Sequence, residues 1–341
     1  MSNIRAVSKA AGVSVATVSR TFSAPDSVRE KTRHLVEQIA AELDYRPNLM
    51  ARNFRAQRSY AIMVLVPDIS NPFFSRVISG LENAALARGY SVLLGNTGRD
   101  PERESRYAAM VQNGQADGII QLSAIYPLEP SARNDAVPLV NICECFEAPN
   151  VPQVMFDNVG GAKAVVEHLL DLGHRRIGLV KGRSDSPLTG DRLAGCRAAF
   201  AARELELDEA LVVDGDFTIQ SGHDAVDQLL ALSAPPTAIF CFSDEMALGA
   251  IQRIKSAGLV VPGDISVAGF DDIAFASYCD PPLTTVAQPA EIFGERAVDL
   301  LCDLIDRGKD APPGDVPSRE ILPFQLAIRA SVASPKNGEN S

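Results

Sequence analysis

Gly190-Asp191-Arg192-Leu193-Ala194-Gly195 has the glycine spacing of a loop that cradles nucleotide phosphates, but Cys196-Arg197 stands where that loop needs lysine followed by serine or threonine. No G-x-G-x-x-G follows an apolar strand, and no serine sits in a nucleophile elbow. Cys143-Glu144-Cys145 is the only close pair among six cysteines (Cys143, Cys145, Cys196, Cys241, Cys279, Cys302), and a zinc site would need a second pair or nearby histidines. His34, His168, His174 and His223 are scattered, so these cysteines read as buried or surface thiols. Phosphate-cradle, serine-nucleophile and metal chemistries thus lack their residues. No catalytic residue, metal or cofactor is called for, and binding is the chemistry that remains.

Charge says what is bound. Residues 1–58 hold ten Lys and Arg against five acids, a net +5, while the whole chain of 341 residues carries −11. A basic head can meet nucleic-acid phosphates, and an acidic body avoids them. Within the head, Ile4, Val7, Ser8 and Ala11 fall at helical spacing, and Gly12 supplies a turn. Ser14 can cap a second helix running to about Phe22. Ala24-Pro25-Asp26 breaks the chain, Ser27-Val28-Arg29-Glu30 matches a capping box, and Leu35, Val36, Ile39, Ala40 and Leu43 give a third helix its buried stripe. Helix, glycine turn and helix form the unit that lays its second helix in the major groove. A small helical cap domain has the same pattern, and the basic charge favours DNA.

Residues 44–59 form a basic connector with Pro47. From Tyr60 the pattern changes to buried strands alternating with helices. Strands are expected at 61–66, 91–94, 118–122, 139–142, 177–180, 238–242 and 265–270. Helices are expected from Asn71-Pro72 and near 103–113, 160–172, 190–203, 219–232, 245–257 and 289–306. This alternation specifies parallel sheets with crossover helices, in two blocks of about 60–150 and 153–290. Small molecules bind such sheets in crevices at the carboxyl ends of the strands. Phe73 and Phe74, at the start of the first of these helices, offer flat faces to a sugar or base ring, or fill a core. No apolar run is long enough to span a bilayer and Met1–Arg5 carries no secretion signal, so a cytoplasmic, non-membrane protein is expected.

Gly12-Val13-Ser14-Val15-Ala16-Thr17-Val18-Ser19-Arg20, Thr32-Arg33 and Leu43-Asp44-Tyr45-Arg46-Pro47-Asn48 resemble the head and hinge of lactose-repressor-type (LacI/GalR) transcriptional regulators. The resemblance continues through Pro67–Phe74, Gly173–Ile177, Asp191–Gly195, Ser243–Ala247, Gly269–Asp272 and Pro282–Val286, and so covers about residues 4–330. Within the family, Pro67–Phe74 and Cys279–Thr285 are most similar to the cytidine-responsive subgroup. The resemblance implies a helix-turn-helix head (1–46), a hinge helix (47–59), a two-lobed α/β domain like the periplasmic binding proteins for effector binding and dimerisation (60–334), and a disordered tail (335–341). It also implies a repressor that binds a near-palindromic operator in double-stranded DNA as a homodimer, controlled by a sugar or nucleoside-like effector.

Carried over position by position, the resemblance gives Val15 and Ala16 the selection of operator bases, by apolar contact with thymine methyls. Asn3, Ile4, Ser14, Thr17, Ser19, Arg20, Ser23, Ser27, Arg29 and Thr32 join them at the DNA, mainly on phosphates; Arg20 could instead brace the head. Ala6 replaces the family's usual acid, and Arg29 its usual small hydroxyl residue. Asn48, Ala51, Phe54 and Arg55 fall on the hinge. Its two turns are too short to be helical alone, and Phe54 stands for the family's minor-groove leucine wedge; a plain linker is the alternative. The effector is expected against Phe73, Phe74, Phe156, Arg192, Phe217, Ser243 and Asp271. Arg192 and Asp271 would stand on opposite sides of the cleft and hold adjacent hydroxyls, unless they are a purely structural pair. An aromatic residue that some relatives carry after Val286 is replaced by Pro289-Ala290. The rivals are a Rossmann-like enzyme, which lacks its motifs, and a sugar-binding protein with no DNA role.

Overall fold

The computed structural model describes residues 3–23, 25–45, 58–128, 137–148, 150–307 and 319–336, and the chain divides into two units, Met1–Tyr60 and Ala61–Ser341. Residues 47–57 of the expected hinge, with Asn48, Ala51, Phe54 and Arg55, lie outside the described residues, as do 337–341 of the expected tail.

In the first unit, the Asn3 carboxamide oxygen accepts the Ala6 amide at 3.0 Å and opens α1 (Ile4–Ala11). Gly12 closes it at φ 63°, a left-handed conformation that glycine adopts without strain. The Ser14 hydroxyl accepts the Thr17 amide at 3.1 Å and starts α2 (Val15–Ser23). The expected Ser27–Glu30 capping box would make Ser27 the cap of the third helix, and the helix instead begins later. Pro25–Ser27 is taken up by a 3-10 turn, so α3 (Glu30–Glu42) starts behind Arg29, whose side chain makes no cap bond. Val7, Ala11, Val18, Val36 and Ala40 form the core, with Phe22 and Tyr45 packed against it at a ring separation of 6.1 Å.

The second unit holds two parallel sheets. The strands of the first are β1 (Ala61–Val66), β2 (Ser91–Asn96), β3 (Gly118–Gln121), β4 (Leu139–Ile142), β5 (Gln153–Phe156) and β11 (Arg319–Leu322), in the order β11-β5-β4-β3-β1-β2. The second has β6 (Ile177–Val180), β7 (Val212–Val213), β8 (Ala238–Cys241) and β9 (Ser266–Ala268), in the order β7-β6-β8-β9. β1, β3, β4, β6, β8 and β9 are buried along their whole length, as parallel strands covered on both faces must be. Crossovers are α4 (Pro72–Ala87) and α5 (Pro101–Gln112) on the first lobe, and α6 (Asn158–Asp171), α7 (Pro187–Ala201), α8 (Ile219–Leu230) and α9 (Asp244–Ser256) on the second.

The lobes are not the two contiguous blocks read from the sequence. β5 joins the first sheet, and after β10 (Thr285–Ala287) the helix α10 (Ala290–Arg307) returns to pack on α4, followed by β11. The chain leaves the first lobe again to form β12 (Gln325–Ala327), antiparallel to β10. Three crossings therefore join the lobes: after Phe156, between Ala287 and Ala290, and after Leu322. Lys336, expected in the tail, pairs with Asp264 at 2.5 Å.

The α4–α10 contact depends on two glycines. A Cβ on Gly80 would collide with the Glu291 carbonyl, and one on Gly294 with the Leu81 amide and with the Val77 carbonyl at 2.5 Å. Each helix lies directly on the backbone of the other.

Candidate functional site

A cleft of about 510 Å³ opens in the second unit. Asn71 caps α4, its carboxamide oxygen accepting the amides of Phe73 at 2.9 Å and Phe74 at 3.3 Å. This fixes the first turn, so both phenylalanines turn inward, with ring centroids 5.6 Å apart. Phe73 stands edge-on to Phe293 at 6.2 Å, one side in core and one in the cleft.

Arg192, on α7, is only 2% exposed. Its Nε donates to Asn158 Oδ1 at 3.0 Å and its Nη1 to the Phe242 carbonyl, while its guanidinium lies 3.7 Å from the Phe270 ring centroid. Nη2 stands 3.9 Å from Asp271 Oδ1, an ion pair too long for a hydrogen bond. Asp271 sits just after β9 at φ 125°, an unusual conformation for a side-chain-bearing residue, and accepts from Gln288 Nε2 at 2.7 Å. Burial lowers the Arg192 pKa and raises that of Asp271, because loss of water outweighs what each gains from the other. Donors on one and acceptors on the other thus remain usable by a polar ligand. Both residues belong to the second lobe, which corrects the expectation that they face each other across the cleft.

Phe217 is held in the left-handed region at φ 72°. Its ring covers Gly182 so closely that a Cβ there would fall inside it, and it lies 6.0 Å from the Arg192 guanidinium. Strain of order 1–3 kcal/mol at such a residue marks a side chain held in place by its surroundings. Ser243 caps α9 through the Met246 amide at 3.2 Å.

The first lobe contributes residues that sequence reading did not single out. Arg99 Nη1 and Nη2 grip Glu144 Oε2 and Oε1 at 2.8 and 2.6 Å, and Glu144 is 2% exposed. Among the described residues, bonds that span the lobes include Ser186 Oγ to Glu144 Oε2 at 3.3 Å, Asn71 Nδ2 to Glu245 Oε2 at 2.7 Å and Arg76 Nη1 to the Asp272 carbonyl at 2.9 Å. Cys143 also lines the cleft, its thiol pushed up by burial and so unreactive. Asn71, Asn158 and Gln288 had no signal beyond being polar at element ends.

Six of the seven expected effector residues line the cleft: Phe73, Phe74, Arg192, Phe217, Ser243 and Asp271. Phe156 does not. Its ring packs between Phe270 at 5.8 Å, Phe324 at 6.4 Å and Phe293 at 6.5 Å, where the crossing strands meet.

Burial, and next to it the neighbouring charge of Asp68, raise the Glu245 carboxyl to about 7. A carboxyl that holds its proton more tightly when folded favours the fold fully below its unfolded value, and that advantage is lost as pH rises through the folded one. Glu245→Gln is therefore expected to stabilise the protein at pH 8 by on the order of 1 kcal/mol, a figure discounted because the carboxyl is half exposed, and to have less effect at pH 5. Thermal melts at the two pH values and matched ionic strength check this; a pH-independent difference would contradict it.

In the first unit, Val15, Ala16, Ser19, Arg20 and Ser23 share one face of α2, opposite the buried Val18 and Thr21. Val15 is 40% exposed, unusual for valine in so small a core. Arg20 is exposed and pairs with no acid among the described residues. Ser14, Ser27 and Arg29 are also exposed, Thr17, Thr32 and Ile4 half-buried, and Asn3 is spent as the α1 cap. No helix among the described residues is long and apolar enough to cross a membrane.

Comparisons with known proteins match the two units separately. Residues 3–48 match the model for bacterial regulatory proteins of the lacI family, and 166–332 that for a periplasmic binding protein-like domain. The chain is 39% identical to the HTH-type transcriptional repressor CytR of Escherichia coli over 323 residues, 94% of this chain and 93% of that one. It is 34% identical to the repressor PurR of Aliivibrio fischeri, over 89% and 92% of the two chains. Among solved structures, a lac repressor dimer bound to operator and the anti-inducer ONPF superposes with a TM-score of 0.83 at 30% identity, over 97% and 99% of the two chains. A LacI family regulator from Enterococcus faecium with bound ribose gives 0.72 at 28% identity, over 81% and 100%.

Proposed function

The chain belongs to the lacI family of bacterial regulatory proteins, and from that premise we propose that it grips a near-palindromic operator as a homodimer and releases it when a sugar or nucleoside fills the cleft. It is a ligand-controlled, DNA-binding transcriptional repressor. The observation that carries the effector reading is the buried Arg192–Asp271 pair, short of a hydrogen bond and lining one cleft with the Phe74 and Phe217 rings. A ring that bears hydroxyls satisfies both demands at once: its face meets the aromatic rings and its hydroxyls bridge the charges. The ribose bound by one solved relative supports the same class.

On the DNA side, Val15 and Ala16 read bases from the exposed face of α2, while Ser14, Thr17, Ser19, Arg20, Ser23, Ser27, Arg29 and Thr32 set the head on phosphates. Asn3 and Ile4 complete that surface at the start of α1. Residues 47–59 supply the minor-groove hinge, with Phe54 as wedge and Asn48, Ala51 and Arg55 beside it. The protein works in the cytoplasm, where its operator is, and turns over no substrate. A sugar-binding protein with no DNA role is not favoured, since it has no use for a +5 head.

The test is fluorescence anisotropy of the full chain on duplexes selected from a random library. Operator affinity is expected to fall steeply with salt, by roughly 0.9 in log K per log salt for each phosphate contacted. A saturating effector is expected to weaken it about tenfold or more at fixed salt. Binding that ignores salt sinks the DNA reading; binding that ignores every effector which occupies the cleft sinks the control.

A further inference from the structure

The cleft is lined by two arginines, and among the described residues each is matched by a carboxylate: Arg192 by Asp271, Arg99 by Glu144. The two pairs differ in kind. Arg192 and Asp271 stand 3.9 Å apart with bonding capacity left over. Arg99 is saturated on its fork, because Glu144 takes both terminal nitrogens in parallel at 2.8 and 2.6 Å. That two-pronged geometry is the one in which an arginine holds a phosphate group. The Glu144 oxygens therefore occupy the positions that two phosphate oxygens would take.

We propose that Glu144 decides the charge of the ligand: by occupying Arg99 it admits uncharged ring compounds and turns away their phosphate esters. The inference rests on the effector reading of the cleft and makes it narrower. A phosphate entering here meets a buried carboxylate that cannot move aside, being fixed by Arg99 on one lobe and by Ser186 Oγ at 3.3 Å on the other. Arg183 and Arg192 also lie within electrostatic reach of Glu144. Arg183 has its own two-pronged partner in Asp185, at 3.0 and 2.7 Å. Neutralising Glu144 would thus leave Arg99, at the wall of the cleft, as the one cation of the three without a paired carboxylate, with Glu104 and Asp185 acting on it only through space. The arginine is a ready phosphate site, masked by one residue.

The experiment is isothermal titration calorimetry of the full-length wild type, Glu144→Gln and the double variant Arg99→Met/Glu144→Gln. The probes are cytidine, uridine, adenosine and ribose, each against its 5′-phosphate. Wild type is expected to prefer the parent compound by about 100-fold, and Glu144→Gln to bind the phosphate at least about tenfold more tightly than wild type does. The double variant is expected to lose that gain, which ties it to the Arg99 charge. A wild type that binds a phosphate as tightly as its parent overturns the proposal, and does so even if Glu144→Gln fails to fold. A folded Glu144→Gln with no gain overturns it as well. If no parent compound binds either protein while the phosphate binds Glu144→Gln alone, the masking stands and the sugar or nucleoside reading is what falls.

Discussion

Arg192→Ala lowers effector affinity by at least about 100-fold and leaves the operator complex insensitive to effector, while operator binding itself survives. The reasoning starts from what the side chain holds. Truncation removes the donors to Asn158 and to the Phe242 carbonyl, takes a cation off the Phe270 ring and leaves Asp271 buried without its counter-charge. Breaking a buried pair on one side costs about 3–5 kcal/mol, much of it the penalty for the abandoned partner. Part of that cost falls on the ligand-free protein, because Asp271 can take up a proton instead. The part that falls on binding is the lost fork, and about 2.7 kcal/mol of it is already a factor of 100. Arg192→Lys is expected to behave almost as badly, since a point charge on a flexible stem cannot bond Asn158 and Phe242 together and still face Asp271. Calorimetry with the effector, paired with anisotropy on the operator, checks both halves. Affinity within threefold of wild type in Arg192→Ala would reduce the pair to a structural one.

Gly294→Leu destabilises the second unit by about 3 kcal/mol or more, the upper range for an overpacked core. No flexible side chain can yield at this point, because the obstacles are the backbone of Leu81 and Val77. Helices α4 and α10 must separate, and every apolar contact along their crossing loosens with them. Gly294→Ala should do less harm, and Gly80→Leu as much as Gly294→Leu, since Gly80 meets the Glu291 carbonyl from the other side. Urea unfolding of the three variants gives the order. The effect should reach the cleft too, because α4 presents Phe73 and Phe74 at its N-terminus.

Local signals carried much of this from the sequence. The run Ala61–Val66 announces a buried strand, Asn71-Pro72 a helix start, and Gly12 a turn, because each depends on its own few residues. What a one-dimensional pattern cannot express is which sheet a strand joins. Gln153–Phe156 follows the first block in sequence and was read with the second, yet pairs with β4 and β11. Phe156 is assigned to the cleft by resemblance alone, and no local pattern shows that three rings from elsewhere in the chain enclose it. Arg192 and Asp271 come from the resemblance, which did not show that both stand on the same side of the cleft. Glu144 was hidden for a different reason. It stands between two cysteines that read as plain thiols, and its partner, Arg99, lies 45 residues away.

The three crossings between the lobes have a mechanical consequence. Joined by one strap, two bodies can swing, twist and slide freely; joined by three straps set side by side, they retain little beyond a swing about the line through the straps. Phe156 and Phe324, on two different straps, stand 6.4 Å apart and tie them together. Whatever enters the cleft therefore drives the same door on the same pins, and a signal leaving it has one direction of travel.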